Sequence, residues 1–261
     1  MPHLNQVSAA FFKAFKNGDN MIKTDFKLQY NTCQNDNGGI PVIIVAAGLS
    51  TRMGGTNKQT ALLCGIPVIA RTLKSFENSH YISRIILVTQ SKLIPEMQSI
   101  AQKYMISKLT DIVEGGADRH ASVMCGIERL NDNEDKVLIH DGARPFATED
   151  IISRCVAALQ DYDGCLCGVK INDTVKRVDD DFNVTDTLDR SYLYAAQTPQ
   201  GVSVAAYKSA CEKMGDAVFT DDAAVLESAG YSVKLVQGSV RNIKITTAED
   251  LLIAEAFIKG E

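Results

Sequence analysis

An uninterrupted apolar run near residue 40 leads directly into a turn of small residues. Residues 40–44 (IPVII) are mostly β-branched, which is typical of a strand buried on both faces of a parallel sheet. Residues 46–48 (AAG) carry little or no side chain, so their backbone amides can closely approach a ligand. The pattern predicts a buried strand whose carboxyl end meets a bound group.

Two cations follow this turn. Arg52 can donate to two phosphate oxygens at once, and Lys58 supplies a compact point charge, so the pair suits a polyphosphate. The loop lacks the glycines of the dinucleotide-binding pattern and the Gly-Lys-Ser/Thr of the Walker pattern. A solvated loop of the same composition is the alternative, and the segment alone leaves both interpretations open.

A second segment, residues 136–145 (KVLIHDGARP), ends a short apolar strand in a carboxylate. Carboxylates at the carboxyl ends of parallel strands lie where open α/β sheets bind ligands. Asp141 is therefore a candidate ligand for Mg²⁺ or a sugar hydroxyl beside the phosphates. A structural aspartate that caps the turn is the alternative. His140, next to it, is predicted to be satisfied by the backbone.

The remaining chain alternates between strand and helix patterns. This alternation predicts an α/β fold with a Rossmann-like, doubly wound and mostly parallel sheet. Strands are expected near 42–47, 84–89, 110–113, 136–140, 164–169, 232–236 and 241–245. Helices are expected near 67–77, 95–104, 118–130, 148–160, 203–213, 220–229 and 247–259, the last with capping-box spacing between Thr246 and Glu249.

These segments carry a resemblance to the 2-C-methyl-D-erythritol 4-phosphate cytidylyltransferase family, over about residues 42–258. The resemblance rests on many short segments in the same order along the chain. They are residues 46–59, 114–122, 140–145, 173–177, 189–190, 197–200, 220–223 and 242–244. Ribitol-phosphate cytidylyltransferases share the first loop and the Thr-Pro-Gln, so the middle segments must separate the two.

The resemblance implies roles for individual residues. Those implied to bind CTP are Ala46, Ala47, Gly48, Gly116, Ala117, Ser122 and Asp141. Those implied to bind 2-C-methyl-D-erythritol 4-phosphate are Thr174, Arg190, Thr198 and Arg144. Those implied to stabilise the reaction centre are Arg52, Lys58 and Lys244. Mg²⁺, or another divalent cation, is expected on the CTP phosphates with Asp141 as its protein ligand.

The chain departs from the family at several loop positions. Many members have Asp where Ala117 stands, so a base contact there would come from the backbone. Many also have proline where Asn57 stands, and its loss before Lys58 predicts a looser loop. Further departures at Val45, Ser50 and Thr60, like that at Asn57, remove no charge or donor needed for phosphate chemistry.

Residues 170–192 break the alternation. They predict two polar strands around an acidic turn at 179–183, and a lone hairpin of this kind is marginal in water. The resemblance implies an arm that embraces the second subunit of a homodimer, where Arg190 would serve the neighbouring site. A hairpin folded back on its own domain is the alternative.

Composition limits the possible partners. A net charge of −5 argues against nucleic-acid binding, and no apolar run approaches the length of a membrane span. The seven cysteines include no C-x-x-C pair, which favours free thiols in a cytoplasmic protein over zinc. The chain length suits one large α/β domain, and the resemblance implies that residues 40–261 form a single cytidylyltransferase domain.

Residues 1–39 lie outside the resemblance and are predicted to be a loosely ordered extension. It contains a candidate amphipathic helix at 9–16 and a linker-like stretch at 31–39. Two alternative functions stay open. The acceptor is ribitol 5-phosphate or another polyol phosphate in one, and in the other the chain is a nucleotide-binding regulatory module without turnover.

Overall fold

A computed structural model of the protein describes residues 38–48, 58–215, 217 and 219–260. Its strands are β1 Ile40–Val45, β2 Leu62–Leu63, β3 Ile66–Pro67, β4 Ile82–Thr89, β5 Leu109–Glu114, β6 Lys136–Asp141, β7 Gly164–Lys170, β8 Lys176–Val178, β9 Val184–Thr187, β10 Tyr194–Ser203 and β11 Val233–Gln237. Its helices are α1 Val68–Glu77, α2 Ile94–Lys103, α3 Arg119–Ile127, α4 Glu149–Ala158, α5 Val204–Met214, α6 Asp222–Ser228 and α7 Ala248–Lys259.

A seven-stranded sheet in the order β11-β7-β10-β6-β1-β4-β5 forms the centre of the fold. Strand β10 is antiparallel to both of its neighbours, and the other neighbouring pairs are parallel. From β1 the chain adds β4 and then β5 on one side, and it returns to place β6 on the other side. The carboxyl ends of β1 and β6 therefore flank a topological switch point, where open α/β sheets bind ligands.

Helices cover both faces of the sheet because successive strand residues point to opposite sides. On one face, Val42 and Ile44 of β1 pack in a cluster with residues of α1, α2 and α4. On the other, Ile43 packs with residues of α3, α5 and α6. Gly126 of α3 is required at this contact, because a Cβ there would lie 2.5 Å from Ile43 Cγ2. The predicted doubly wound, mostly parallel fold is confirmed.

One predicted strand is wrong, and one strand of the sheet has no counterpart among the predictions. Strand β10 is the latter, because its proline, glycine and polar residues do not form an apolar strand pattern. The strand tolerates them because its register shifts between Gln197 and Gln200, around the bond between Thr198 and Pro199. The strand expected at 241–245 is instead irregular, and its apolar Ile245 is buried against α7 and β2.

The predicted hairpin arm is present as the antiparallel pair β8–β9. Every residue of both strands is exposed, and Phe182 at the turn is 85% exposed. The capping box of α7 lies one residue later than expected, because Thr247 is the N-cap and exchanges hydrogen bonds with Asp250. The candidate helix at 9–16 lies outside the described residues.

Candidate active site

A cavity of about 390 Å³ opens at the carboxyl ends of β1 and β6, at the switch point. Five segments form it. They are the turn after β1, residues 58–59 before β2, the loop between β5 and α3 with the first turn of that helix, the end of β6, and the irregular segment before α7. Its lining comprises Val45, Ala47, Gly48, Lys58, Gln59, Gly116, Ala117, Asp118, Arg119, Ser122, Asp141, Ala143 and Lys244.

Small residues let these segments approach one another. A Cβ on Gly115 would lie 2.5 Å from the Cβ of Ala47, and one on Gly116 would lie 2.4 Å from the Cβ of Ala121. The loop must therefore carry glycine at both positions to lie between the β1 turn and α3. The side chain of Asp118 then caps α3 by accepting from the amide of Ala121 at 2.7 Å. The start of this helix faces the cavity.

Asp141 is the electrostatic centre of the cavity. Its carboxylate lies 3.0 Å from Lys244 Nζ, 3.4 Å from Arg119 Nε and 3.4 Å from Arg144 Nε. Burial alone would raise the pKa of Asp141, but the charges of Lys244, Arg119 and Arg144 outweigh burial and hold the pKa well below its usual range. Asp141 is therefore ionised at neutral pH and balances part of a strongly positive site.

Two hydrogen bonds to neighbouring residues explain how Lys244 reaches Asp141 from a segment without regular structure. The amide of Ile245 donates to the carbonyl of Ala143 at 2.8 Å. Arg144 Nη1 donates to the carbonyl of Asn242 at 2.8 Å, which ties both segments together from the other side. Residues 242–245 are thus fixed to the turn after β6, and Lys244 projects into the cavity between the two attachments.

Thr198 lies behind Asp141 and is 4% exposed. Its hydroxyl accepts from the amide of Asp141 at 3.0 Å and lies 3.1 Å from His140 Nδ1. His140 Nε2 lies 3.0 Å from the carbonyl of Arg144, which can only accept. These contacts place the imidazole proton on Nε2, so that Thr198 donates to Nδ1. His140 is satisfied by the backbone, as predicted, and also by this threonine.

The neutral state of His140 predicts a fall in stability at acidic pH. Burial lowers the pKa of His140 to about 4, so the unfolded chain binds the proton more readily than the folded one. This contribution is complete above the unfolded pKa of about 6.5 and is lost as the pH falls toward 4. From pH 7.5 to pH 5, it should lower the free energy of unfolding by about 2 kcal/mol.

Urea unfolding of the wild-type protein and of a His140→Asn variant at both pH values measures this contribution. The variant should lose about 2 kcal/mol less than the wild type between pH 7.5 and pH 5. An identical loss in both proteins would contradict the assignment.

Arg119 joins Asp141 to a second carboxylate that the sequence analysis missed. Arg119 Nη2 donates to Asp222 Oδ2 at 2.8 Å, although the two residues are 103 positions apart. Asp222 is only 1% exposed. Burial lowers the pKa of Arg119, but Asp222 and then Asp141 raise it above its ordinary value, so the guanidinium stays charged. The sequence feature that could have indicated Asp222 is the pair Asp221-Asp222 at the start of the helix expected at 220–229.

The structure brings most of the expected site residues together. Those that line the cavity are Ala47, Gly48, Lys58, Gly116, Ala117, Ser122, Asp141 and Lys244. Ala46 begins the turn but is buried and outside the lining, while Arg144 and Thr198 support Asp141 from behind. Thr174 and Arg190 are exposed at the base of the arm, outside the cavity lining, and Arg190 donates to the carbonyl of Asn172. Arg52 lies outside the described residues.

The residues suit a divalent cation that is shared with a phosphate ligand. Within the described part of the chain, no group of three or more His, Cys, Asp or Glu could hold a metal ion alone. Asp141 supplies one carboxylate in the cavity, and Mg²⁺ commonly combines one or two carboxylates with substrate phosphates. Each helix that the structure describes is too short or too polar to span a bilayer.

Comparison with known proteins gives one consistent result. A sequence model described as 2-C-methyl-D-erythritol 4-phosphate cytidylyltransferase matches residues 40–260. Proteins of that name from Geobacter metallireducens and Bacillus cereus are 43% and 42% identical over 224 and 220 residues. Each alignment covers 83% of this chain and 96% of the relative.

Solved structures agree with the sequence matches. A 4-diphosphocytidyl-2C-methyl-D-erythritol synthase from Anaerococcus prevotii has a TM-score of 0.76 at 32% identity. The alignment covers 86% of this chain and 97% of that one. A 2-C-methyl-D-erythritol 4-phosphate cytidylyltransferase from Thermus thermophilus has a TM-score of 0.68 at 27% identity, with coverage of 85% and 99%.

Proposed function

The chain belongs to the 2-C-methyl-D-erythritol 4-phosphate cytidylyltransferase family, and from this premise we propose that it transfers the cytidylyl group of CTP to 2-C-methyl-D-erythritol 4-phosphate. The products are 4-diphosphocytidyl-2-C-methyl-D-erythritol and pyrophosphate, in the non-mevalonate route to isoprenoid precursors. The supporting observation is that the turn after β1, the loop before α3, the end of β6 and the segment before α7 line one cavity, with Lys58, Lys244 and Asp141 in that lining. We place this activity in the cytoplasm.

The reaction is an in-line displacement at the α-phosphorus of CTP. A phosphate oxygen of the acceptor forms a bond to the α-phosphorus, and the bond from that phosphorus to the bridging oxygen of the β-phosphate breaks. Pyrophosphate leaves with the bonding electron pair. The acceptor phosphate is largely ionised at neutral pH, so its oxygen needs no general base. Positioning and charge stabilisation therefore supply most of the catalysis.

We assign the cations of the cavity to the phosphates. Lys58, with Arg52, would hold the triphosphate and stabilise the charge on the crowded phosphoryl centre. Lys244 would stabilise the same charge from the segment before α7. The hydrogen bond of its neighbour Ile245 to Ala143 holds it beside Asp141. Mg²⁺ bound with CTP would add charge neutralisation, with Asp141 as its protein ligand.

The nucleotide and the acceptor would occupy different parts of the site. The backbone of Ala46, Ala47 and Gly48 would meet the triphosphate. Gly116, Ala117 and Ser122 would surround the cytosine, at the start of α3. We propose that Arg144 and Thr198 serve the acceptor side, and the buried Thr198 would do so by holding the backbone of Asp141.

The remaining acceptor residues, Thr174 and Arg190, would come from a second subunit. Both lie at the base of the exposed arm and outside the cavity lining of their own chain. The arm also exposes apolar side chains, with Phe182 85% and Val184 61% exposed. An unsupported two-stranded hairpin is marginal in water, so a partner subunit would stabilise it. We therefore propose a homodimer in which each arm completes the site of the other subunit.

A charge at the arm tip should disrupt this dimer. The variant Phe182→Glu is expected to shift the protein toward the monomer and to lower kcat/KM for the acceptor at least about tenfold, because a charge is costly in an apolar contact. Light scattering coupled to size exclusion measures the mass. Met105→Glu is the matched control, because Met105 is 76% exposed but lies away from the arm. A monomeric Phe182→Glu protein with full activity would exclude the shared site.

Phosphorus NMR tests the reaction itself. With CTP, Mg²⁺ and 2-C-methyl-D-erythritol 4-phosphate, the spectrum should gain a pair of coupled diphosphate-ester resonances together with free pyrophosphate. CTP binding without these resonances would favour the regulatory module. The lysines converging on the cavity argue for the enzyme, because a sensor does not need cations placed for charge that develops during reaction.

A further inference from the structure

Asp222 is a buried carboxylate to which the proposed mechanism gives no role. It is the first residue of α6 and is 1% exposed. A buried carboxylate is costly unless it is paired and hydrogen-bonded, so its partners indicate what it does. One partner is Arg119, which lines the nucleotide cavity. The other is Tyr207 of α5, whose hydroxyl lies 3.1 Å from Asp222 Oδ1.

The donor and the acceptor can be assigned in each hydrogen bond around Asp222. The carboxylate only accepts, so the Tyr207 hydroxyl donates its single proton to Oδ1 and Arg119 Nη2 donates to Oδ2. The Tyr207 oxygen then accepts from His120 Nδ1 at 3.2 Å. Burial, and then the charge of Asp222, raise the pKa of Tyr207 well above its usual range, which keeps the phenol protonated. Asp222 therefore has a fixed donor at each oxygen.

The main chain of Asp222 is fixed as well. The side-chain oxygen of Gln200 accepts from the amides of Asp222 and Ala223 at 3.0 and 2.9 Å. Gln200 itself is 1% exposed, so both hydrogen bonds are shielded from water. The start of α6 is thus attached to β10, a central strand of the sheet. Asp222 therefore has a fixed position, from which its carboxylate can orient the side chain of Arg119.

The Arg119 guanidinium connects the two carboxylates. Its Nη2 donates to Asp222 and its Nε donates to Asp141. Arginine has several rotatable bonds, and an unsupported arginine in an open cavity would sample many positions. The pairing with Asp222 holds one edge of the guanidinium and leaves the group charged beside Asp141 and Lys244.

We propose that Arg119 is a further nucleotide-binding residue of this site, and that Asp222 and Tyr207 are positioning residues that orient it. This inference rests on the proposed function, because the nucleotide is taken to be CTP. Arg119 presents a fixed positive charge to the bound nucleotide, and its Nε bond helps to fix Asp141. Loss of the Asp222 support weakens nucleotide binding more than it slows the chemical step.

Four proteins test the coupling: wild type, Asp222→Asn, Arg119→Gln and the double variant. Calorimetry with CTP and Mg²⁺ gives the Kd, and steady-state rates give kcat and KM. Asp222→Asn should raise Kd and KM for CTP about tenfold, as expected for weakening a charged hydrogen bond, and change kcat less than threefold. In the Arg119→Gln background, the same change should alter Kd less than twofold, because Asp222 acts through Arg119.

Asp221→Asn is the matched control. Asp221 is the adjacent carboxylate and caps α6 through the amide of Ala224, but its hydrogen bonds within the described residues do not reach Arg119. It should lower Tm and leave the Kd for CTP within twofold. Tyr207→Phe, which removes only the hydroxyl, should raise Kd about threefold.

Three results would overturn the proposal. They are an unchanged Kd in Asp222→Asn, an equal effect of that change with and without Arg119, and a matching rise in Asp221→Asn. Failure of the proposed function is read separately, from the absence of turnover by the wild-type protein. The coupling is read from CTP binding alone and needs no second substrate.

Discussion

Replacing Lys58 by alanine is expected to lower kcat for cytidylyl transfer at least about 100-fold, the usual cost of removing a donor aimed at transition-state charge. Lys58 lines the cavity that also contains Asp141 and Lys244. The charge of Lys58 would stabilise the negative charge that builds up on the departing pyrophosphate. This interaction is stronger in the transition state than in the ground state, so its loss should lower kcat more than it raises KM. Single-turnover rates at saturating CTP and acceptor measure the step directly. The sequence predicts a loss of similar size for Arg52→Ala.

Lys92→Ala is the matched control for this prediction. Lys92 is an exposed lysine outside the cavity lining, and its removal changes the net charge by the same amount. It should leave kcat within twofold of the wild-type value. Near-normal turnover in a folded Lys58→Ala protein would remove Lys58 from the reaction centre.

The second large effect is expected for Asp141→Asn, which keeps the shape of the side chain and removes its charge. Lys244, Arg119 and Arg144 would then face one another without the carboxylate that they share. Their repulsion would displace Lys244, and the proposed magnesium ligand would be lost. We expect kcat/KM to fall about 100-fold or more. The thermal midpoint should also fall, because breaking a buried pair leaves charge uncompensated.

Initial rates over a range of Mg²⁺ concentrations measure this effect. Asp163→Asn is the matched control, since Asp163 bonds Ser232 and lies outside the cavity lining. The control should keep its kcat/KM and its magnesium dependence. If Asp141→Asn binds CTP and Mg²⁺ as the wild type does and turns over normally, the carboxylate has no part in the site.

The sequence predicts the fold best where hydrophobic pattern and burial agree. The runs that became β1 and β6 are apolar on both faces, and both lie at the centre of the sheet. Their ends place the small-residue turn and Asp141 at the switch point, so half of the site follows from local pattern and topology. The hairpin arm is predicted for the opposite reason, since its strands are polar and fully exposed.

The rest depends on contacts that no local pattern encodes. Strand β10 contains Thr198, Pro199 and Gly201, and it is stabilised by pairing on both sides rather than by its own propensity. Lys244 reaches the cavity from a segment whose pattern indicates a strand, because its neighbours bond to the turn after β6. The pairing of Arg119 with Asp222 joins residues 103 positions apart, so only the tertiary structure reveals it.

Pyrophosphate release with CTP and Mg²⁺ distinguishes the proposed reaction from its alternatives. Initial rates would be compared in parallel for 2-C-methyl-D-erythritol 4-phosphate and ribitol 5-phosphate, with the Lys58→Ala protein as the background. We predict release with the methylerythritol phosphate and only background release with ribitol 5-phosphate. Release with ribitol 5-phosphate alone would keep the displacement mechanism but contradict the substrate, and release with neither would contradict the proposed activity.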